Sequence, residues 1–362
     1  MPASVYIGSK SYPFALLGSS LSGGKNLITF NVPAGVVANG YLAGTFSGCD
    51  NLRYINIASA HETLSSLDGV VYDKSGKRLV FVPNAMTEFT VPAGVTNVLE
   101  DAFMNCNGLA AIDVEDGNGY YASVDGVLYN KAMTALIRWP RGKDDVSILD
   151  TVTSIGVGAF RMCTNLTEVI LPEGVGNIAD SAFAGCSGLT ELELPASVTN
   201  IGSSAFSGCT ALTEIEFPES ISNIRDYTFD GCTGLSRVVL PSTITNLDYR
   251  AFSGCSGVRS VTVPQSICST NRLATIFPAA YSRITDVVIA EGTTVVGDNL
   301  FSGCVNLVDL VVPDSVTSIS SNAFKNCDKF NANLYLRQLK GVFGPDAETG
   351  VRYSLGEIAA TQ

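Results

Sequence analysis

One spacing constrains this chain more than any other feature, namely the interval between cysteines in its central part. From Cys163 to Cys255 a cysteine recurs every 23 residues, and each interval repeats the same skeleton. The skeleton reads C-x-x-L-x-x-L-x-L-P, followed by spaced aliphatic residues and then by A-F-x-G-C or a close variant. A fixed period of roughly 20–50 residues is typical of solenoids, in which each unit forms one coil. The spacing therefore predicts a repeat fold.

The unit that begins at Cys186 shows how the skeleton becomes a coil. Leu192 and Leu194 are separated by one polar residue, which is the alternation of a strand with one buried face. Pro195 ends the strand because proline has no N–H for a ladder hydrogen bond. The chain then returns through the interior, and a short helical turn places Phe206 inside. A lone unit buries too little apolar surface to offset its lost conformational entropy, so its stability depends on stacking.

The repeat extends from Gly24 to Phe330 and includes no linker, so we expect one elongated domain over residues 24–330. We expect a right-handed coil with one long parallel sheet on one side and short helical turns on the other. Residues 1–23 and 331–362 lack the pattern, which predicts an N-terminal cap, and a C-terminal cap with a tail. The cysteine position of the skeleton occurs 13 times, at residues 24, 49, 83, 106, 140, 163, 186, 209, 232, 255, 281, 304 and 327.

Two of the coils are 34 residues long, which is 11 residues more than the standard coil of 23. The intervals from Cys49 to Cys106 and from Cys106 to Cys163 each span 57 residues, which is one standard coil and one lengthened coil. In each lengthened coil, two runs rich in strand-forming residues flank a short polar turn, near residues 66–83 and 123–140. Such a pattern is typical of a β-hairpin. We predict two hairpins inserted in the N-terminal half.

The skeleton also indicates a family. It shares the L-x-x-L-x-L core of leucine-rich repeats, but proline follows the third aliphatic position and cysteine precedes the first leucine by three residues. In these respects, and in the D-G-V-L-Y-N-K element at 125–131, it resembles the BspA-like, or treponemal-type, leucine-rich repeats over residues 24–330. The resemblance implies a leucine-rich-repeat solenoid from a bacterial or protozoan surface or secreted protein, and several such proteins are adhesins. The family has no shared catalytic motif.

Charge and hydropathy narrow the classes of partner. The chain has 34 acidic and 22 basic residues and a net charge of −12, which argues against nucleic acid or an anionic membrane as partner. No apolar run approaches the roughly 20 residues that a membrane span needs. The start, MPASVYIGSK, does not resemble a signal peptide, so the chain is either cytoplasmic or has lost a leader. The family resemblance favours the cell surface or the extracellular space.

The ten cysteines allow two interpretations. Nine share one position of the skeleton, and none forms the C-x-x-C pairs that are typical of metal sites. Stacked coils bring them near one another, but parallel side-chain directions disfavour disulfide bonds. We expect buried free thiols that act as small apolar groups, with partial disulfide formation as the alternative. Cys268 lies outside the series in an expected turn, and is the candidate for a reactive thiol.

The sequence contains few residues that could form a catalytic or metal-binding site. His61 is the sole histidine, and its position in an irregular loop favours a solvated side chain over a catalytic base. The acidic turn at 115–119 could contact Ca²⁺, but it lacks the further spaced ligands of a calcium loop, which favours a plain turn. No glycine-rich loop opens onto a long helix. We therefore expect no enzyme, no metal site and no cofactor.

The exposed positions of the strands are the best candidates for a binding site, because they tile one continuous face. Acidic side chains recur there on adjacent coils, although like charges on neighbouring strands are unfavourable. The pattern fits an acidic patch that docks a basic protein segment, or else a plain solvated sheet face. The candidate partner-binding residues are Glu168, Glu191, Glu193, Glu214, Glu216, Arg237 and Arg259.

A second candidate surface is the pair of hairpins, where aromatic residues concentrate. Aromatic side chains are enriched at interfaces, but packing across the hairpin strands is the alternative. Three functions remain open: a monomeric adhesin-like protein that binds a host matrix or microbial surface protein, a passive spacer or stalk, and a glycan-binding module that uses these aromatics. The first is preferred. The aromatic residues are Tyr72, Phe81, Tyr120, Tyr121, Tyr129 and Trp139.

Overall fold

A computed structural model describes most of the chain, which divides into two compact units, unit 1 (Met1–Cys163) and unit 2 (Thr164–Gln362). The units consist of stacked β-coils, about 12 turns in all. The thirteenth predicted coil begins at Cys327 and continues outside the described residues. The predicted C-terminal cap at 331–362 and most of the N-terminal cap also lie outside them. The described residues are 4–7, 10–13, 21–36, 42–143 and 146–330, with side chains from residue 21 onward except that of Thr270.

The described part of unit 1 contains one short helix and a succession of short strands. The helix is α1 (Leu42–Thr45). The strands are β1 (Ser4–Ile7), β2 (Lys10–Pro13), β3 (Thr29–Val32), β4 (Tyr54–Ile57), β5 (Leu64–Leu67), β6 (Val70–Asp73), β7 (Arg78–Phe81), β8 (Glu88–Val91), β9 (Asn97–Val98), β10 (Ala111–Val114), β11 (Tyr121–Val124), β12 (Val127–Asn130), β13 (Ala135–Arg138) and β14 (Ser154–Ile155).

The coil strands of unit 1 pair in parallel. β3 lies beside β4 with Thr29 opposite Tyr54, and β8 lies beside β10 with Glu88 opposite Ala111. Each of these strands begins five residues after the cysteine position of its coil, as the skeleton predicts. Exposed and buried side chains alternate along β3, because one face of the strand packs on the core. The period-two pattern in the sequence therefore reports the buried face correctly.

Each lengthened coil contains a three-stranded antiparallel meander where the sequence predicts a single hairpin. β6 and β7 form the predicted hairpin of the first copy, and β12 and β13 that of the second. β5 and β11 add a strand to each, through two-residue turns at Asp68-Gly69 and Asp125-Gly126. All four turn residues have positive φ, between 50° and 82°, which is the requirement of a type I′ turn. Because Asp-Gly is a strong sequence signal for this turn, the two additional strands could have been predicted from the sequence.

The described part of unit 2 continues the coils with shorter strands. Its helices are α2 (Gln265–Thr270) and α3 (Leu273–Ile276), followed by a 3₁₀ turn at Tyr281–Arg283. The strands are β15 (Glu168–Val169), β16 (Asn177–Ile178), β17 (Glu191–Leu192), β18 (Asn200–Ile201), β19 (Glu214–Glu216), β20 (Asn223–Ile224), β21 (Arg237–Val239), β22 (Asn246–Leu247), β23 (Ser260–Val263), β24 (Asp286–Ile289), β25 (Val295–Val296), β26 (Asp309–Val311) and β27 (Ser318–Ile319).

Two sets of parallel strands connect the coils of unit 2. The predicted sheet is present as the pair β15–β17 and the five-stranded ladder β19-β21-β23-β24-β26. A second set on the return path pairs β16 with β18, β20 with β22 and β25 with β27. Side-chain amides reinforce this set, since Asn200 donates to Asn177 at 2.5 Å and Asn246 donates to Asn223 at 3.0 Å. The recurrent asparagine of the skeleton therefore links neighbouring coils.

Phenylalanine and cysteine set the register between successive coils of unit 2. Phe206, Phe229 and Phe252 are fully buried, and neighbouring rings stack with centroids 5.2 and 5.3 Å apart. The thiol of Cys232 donates to the carbonyl oxygen of Phe206 at 3.1 Å, and Cys255 donates to Phe229 at 3.0 Å. The ladder cysteine is thus a small apolar group, as predicted, and also a hydrogen-bond donor to a backbone carbonyl 26 residues earlier in the chain.

All ten cysteines are free and buried, which is the preferred alternative from the sequence. Burial raises the pKa of Cys106, Cys304 and Cys327 to about 12. The prediction for Cys268 is wrong: this residue lies on α2 with its side chain fully buried, and burial raises the pKa of its thiol to about 12. A thiol held neutral and covered in this way is a poor nucleophile.

The prediction of a solvated side chain for His61 is also wrong. His61 is 3% exposed, and its Nε2 lies 2.9 Å from the carbonyl oxygen of Val36. Its Nδ1 accepts the backbone N–H groups of Thr63 at 3.3 Å and Leu64 at 3.1 Å. Because Nδ1 faces two donors, the ring proton belongs on Nε2, which donates to Val36. The histidine therefore holds three backbone groups together inside the fold.

Candidate partner-binding face

The strands β15 and β17 present acidic side chains in register on the exposed face of unit 2. Glu168 lies opposite Glu191, and both side chains are exposed. In the described part of the chain neither carboxylate forms an ion pair. Directly opposed like charges on adjacent strands destabilise a sheet. These two coils therefore keep an unfavourable arrangement that a cationic partner would relieve.

The next two coils of this face have mixed charge. Glu214 on β19 lies opposite Arg237 on β21, with 3.5 Å between the carboxylate Oε2 and the guanidinium NH1. Because both side chains are exposed, the pair contributes at most about 1 kcal/mol. Glu216 is exposed at the end of the same strand, opposite Val239. The charge of Glu214 is thus partly neutralised, and the uncompensated acidic character concentrates on β15 and β17.

A shallow depression of about 170 Å³ lies over β15 and β17. Ile170 lines it and is 75% exposed, the highest value among the exposed large apolar residues of the described chain. Carboxylates surround this isoleucine on an otherwise polar face. The sequence contains a signal for it, because Ile170 occupies the strand position that Glu193 and Glu216 occupy in following coils. The acidic residues that line the depression are Glu168, Glu173, Glu191 and Glu193.

Arg259, which the sequence places beside the patch, has a different role in the structure. Its guanidinium NH1 donates to the carbonyl oxygens of Ser256, Gly257 and Val258 at 2.8–3.2 Å. The side chain is half-buried and binds the turn that precedes its own strand. Arg259 therefore stabilises a coil turn, and the structure does not bring it together with the carboxylates of β15 and β17.

The same face becomes apolar toward the C-terminal coils of unit 2. Val288 and Val311 lie opposite each other on β24 and β26, and are 37% and 56% exposed. They occupy the strand positions that hold Glu193 and Glu216 nearer the N-terminus of the unit. Asp286 and Asp309 keep the neighbouring positions acidic. The face of unit 2 therefore grades from a carboxylate-rich region to one in which apolar and acidic side chains alternate.

Four of the six aromatic residues in and near the inserted strands form core instead of a second surface. Phe81 and Trp139 are fully buried, and Trp139 stacks on Phe160 with ring centroids 5.4 Å apart. Tyr72 and Tyr129 are also buried. Packing within the fold was the alternative left open by the sequence. A glycan-binding surface on the hairpins consequently loses most of its aromatic residues.

The remaining candidates from the sequence are structural within the described residues. In the acidic turn at 115–119, Asn118 is buried and its Nδ2 donates to the carbonyl oxygens of Pro92 at 2.9 Å and Val95 at 3.0 Å. No cluster of three or more His, Cys, Asp or Glu side chains in the described part is placed to hold a metal ion. No helix in the described ranges combines the length and apolar character that crossing a membrane requires.

Comparison with known families identifies the repeat. A family profile described as "BspA type Leucine rich repeat region" matches in six copies, over residues 77–123, 143–259 and 211–331. The chain belongs to the BspA-type leucine-rich-repeat family. The resemblance inferred from the cysteine skeleton is therefore confirmed, and the matched segments include every residue of the acidic face.

Solved structures show the same fold. A leucine-rich cell-surface protein of Faecalibacterium prausnitzii is 30% identical with a TM-score of 0.51, and the match covers 67% of this chain and 61% of that one. This chain thus spans 61% of the length of the F. prausnitzii protein. A leucine-rich-repeat protein of Eubacterium ventriosum is 22% identical with a TM-score of 0.56, over 86% of this chain and 79% of that one. Among curated proteins, none matches this chain.

Proposed function

We propose that this leucine-rich-repeat protein is a non-enzymatic, adhesin-like binding protein of a bacterial surface. Its ligand is a basic segment of a host matrix protein or of a microbial surface protein. The single observation that supports this most is the Glu168–Glu191 pair, two exposed and uncompensated carboxylates in direct register beside Ile170. Family membership and the cell-surface protein of F. prausnitzii support the location.

The chemistry of the depression defines the partner. A lysine or arginine side chain carries an aliphatic stem and a charged head, so the stem can cover Ile170 while the head reaches Glu168 or Glu191. A segment with two or three such residues would engage Glu193 and Glu173 as well. Binding of this kind gains from long-range attraction between opposite charges and weakens as salt screens it. Strong salt dependence is therefore the expected signature.

The test uses the whole chain and a panel of immobilised extracellular-matrix proteins, together with a synthetic peptide of alternating lysine and leucine as a defined basic probe. We expect wild-type protein to bind the peptide and at least one matrix protein, with affinity that falls as salt rises. The double variant Glu168→Lys/Glu191→Lys should lose about tenfold or more in affinity. Ile170→Ser should weaken binding at every salt concentration, because it removes the apolar contact.

Glu291→Lys supplies the matched control, since it changes the charge of an exposed turn residue away from the acidic strands. It should leave the affinity almost unchanged. If the double variant and the control bind equally well, the acidic face is not the site. If wild-type protein binds neither the peptide nor any matrix protein, the spacer function replaces the adhesin-like one.

A further inference from the structure

Two adjacent coils of unit 2 depart from the repeat at the turn that precedes the buried phenylalanine. In the coils that begin at Cys163 and Cys186, the three residues there are 179–181 (Ala-Asp-Ser) and 202–204 (Gly-Ser-Ser). In the next two coils the same positions read 225–227 (Arg-Asp-Tyr) and 248–250 (Asp-Tyr-Arg). Large, planar and charged side chains thus replace small ones on two neighbouring coils, at positions that the buried skeleton leaves free.

Five of the larger residues at these positions form a surface cluster, which we call the tyrosine platform: Asp226, Tyr227, Asp248, Tyr249 and Arg250. The guanidinium carbon of Arg250 lies 4.9 Å from the ring centroid of Tyr227 and 5.1 Å from that of Tyr249. Its Nε is 3.2 Å from an oxygen of Asp248, and its NH2 is 3.9 Å from an oxygen of Asp226. The arginine therefore contacts both rings and is hydrogen-bonded to Asp248, whereas Asp226 accepts a hydrogen bond from the hydroxyl of Ser203 at 2.5 Å.

The backbone under the platform is also constrained. Tyr227 has φ of +55°, the left-handed region that serine occupies at the equivalent positions Ser181 and Ser204. A bulky aromatic residue is disfavoured there, so the chain retains an unfavourable residue at this point. A hydrogen bond stabilises this turn, because the hydroxyl of Thr228 donates to the carbonyl oxygen of Arg225 at 2.8 Å. Residues held in strained backbone conformations are concentrated at functional sites of proteins.

Both rings face solvent. Tyr227 is 37% exposed and Tyr249 is 60% exposed, although an isolated aromatic side chain gains free energy by burial. The charges around them balance, because Arg225 and Arg250 offset Asp226 and Asp248. Unlike the acidic strand face, the platform taken together with the neighbouring Arg225 therefore has no net charge to attract an ionic partner. Its exposed chemistry consists of aromatic surface, with the guanidinium of Arg250 over one face of each ring, bordered by carboxylate acceptors.

We infer that the tyrosine platform is a binding site for neutral hexose-based glycans. The C–H face of a pyranose ring packs flat on a tyrosine ring, and its hydroxyl groups donate to the remaining lone pairs of Asp226 and Asp248, whose oxygens also accept from Ser203 and Arg250. Hydrogen bonds from Arg250 lower the pKa of Asp248, which keeps that carboxylate an acceptor. A proline-rich peptide also packs on exposed aromatics, but it has no hydroxyl donors for the two carboxylates that border the rings.

The test measures binding of the full chain to neutral hexasaccharides of glucose, mannose and galactose by saturation-transfer NMR and calorimetry. A proline-rich peptide serves as the competing class of ligand. Tyr249→Ser and Tyr227→Ser introduce the residues found at the equivalent positions 203 and 204, so the coil keeps its fold. We expect millimolar or tighter binding of at least one glycan by wild-type protein. Each variant should weaken it about tenfold or more.

Tyr120→Ser is the matched control, because Tyr120 is another exposed tyrosine, at 57%, and belongs to unit 1. It should bind glycan as wild-type protein does. Binding of the peptide without binding of any hexasaccharide would overturn the inference, as would glycan affinity that is unchanged in Tyr249→Ser. The Glu168→Lys/Glu191→Lys variant should retain glycan binding, so that failure at the acidic face and failure at the platform are distinguishable.

Discussion

The two 57-residue modules of unit 1, module A (49–105) and module B (106–162), share one fold and differ in what holds it together. One hydrogen bond between a coil strand and the first inserted strand is common to both: Ser66 in A and Ser123 in B accept the N–H groups of Ile57 and Val114, at 2.8 and 3.1 Å. These interactions are local. Where a side chain contacts a neighbouring coil, however, the modules use different residue types at equivalent positions.

The first difference concerns a buried polar side chain. His61 in module A and Asn118 in module B are equivalent in sequence. Each donates to the carbonyl oxygen at the same place in the preceding coil, Val36 or Val95, and accepts two backbone N–H groups of the following strand. A neutral imidazole has one donor and one acceptor, and an amide supplies the same pair plus a second N–H donor, which in Asn118 reaches the carbonyl oxygen of Pro92. The fold therefore selects a hydrogen-bonding pattern, and two side chains satisfy it.

The second difference concerns the core. Phe81 of module A packs on Phe46, whereas the equivalent residue of module B is Arg138, which is 3% exposed. The guanidinium donates to the carbonyl oxygens of Gly158 at 2.5 Å and Phe103 at 3.4 Å, and burial lowers the pKa of Arg138. Module B thus buries a cation, and the guanidinium supplies hydrogen-bond donors to two carbonyl oxygens next to it.

The largest expected effect comes from exchanging the residue types at positions 81 and 138 between the two modules. Phe81→Arg should destabilise the protein by more than about 4 kcal/mol, because the carbonyl oxygen of Phe46 already accepts from Asn84 at 2.8 Å and the new charge would be buried without partners. Arg138→Phe should cost only about 2 kcal/mol, for two unsatisfied carbonyls. Urea unfolding of both variants measures the difference. Equal losses would mean that the modules are interchangeable at this position.

The next effect tests whether histidine and asparagine are equivalent. His61→Ala should destabilise the protein by about 3 kcal/mol, because three buried backbone groups lose their partner. His61→Asn should cost less than about 1 kcal/mol, since the amide supplies the same donor and acceptor. Thermal unfolding of the two variants beside wild-type protein gives the answer. A loss with asparagine as large as with alanine would contradict the shared pattern.

A smaller effect depends on pH and concerns Cys106, which opens module B; burial also raises the pKa of Cys49, which opens module A. Burial raises the pKa of Cys106 to about 12, so its contribution is fully present below about pH 9 and declines as pH rises toward 12. At pH 10 the loss from one such thiol is about 1.4 kcal/mol. Cys106→Ala should flatten the decline of unfolding free energy between pH 8 and about 11.

Native protein should also react slowly with a thiol reagent at about pH 8, since all ten thiols are buried. Rapid modification of most of them would contradict the burial described here. A pH dependence that is unchanged in Cys106→Ala would assign the alkaline loss to other groups, such as Tyr72, whose pKa burial raises to about 12.

The smallest effect concerns backbone strain. Met133 in module B has φ of +56°, where module A has Gly76 at +71°. Met133→Gly should stabilise the protein by about 0.5 kcal/mol, because relief of the left-handed strain exceeds the added chain entropy of glycine. Gly76→Met should destabilise it by a similar or larger amount. Calorimetric melting temperatures of the two variants would shift in opposite directions, and a shift in the same direction would refute the comparison.

Much of the fold was predictable from spacing, because the repeat reports which side chains face inward. The strand positions and the buried phenylalanines follow from it. The meanders were predicted in part, since the prediction near residues 66–83 contains one turn and does not use the Asp68-Gly69 signal, which forms a second turn. The position of His61 in a loop suggested solvent, and nothing local indicates that the carbonyl of Val36, 25 residues away, meets its ring.

The candidate site divides in the same way. Alternation along the strands identifies Glu168, Glu191 and Glu193 as outward-facing, and the period places them on adjacent coils. The role of Arg259 and the depression around Ile170 were not predicted, because both depend on how side chains pack and form hydrogen bonds in the folded coils. The tyrosine platform could have been noticed as a break in the repeat, although its geometry could not.

The sequence by itself determined the coil, its period and its family, because equivalent residues in a stacked repeat experience the same neighbours and therefore recur at fixed spacing. Only the tertiary structure decided which polar side chains are buried. Hydrogen bonds such as those of His61, Arg138 and Arg259 join atoms that are placed by packing. A pattern of apolar residues along the chain carries no record of where an unpaired carbonyl will lie.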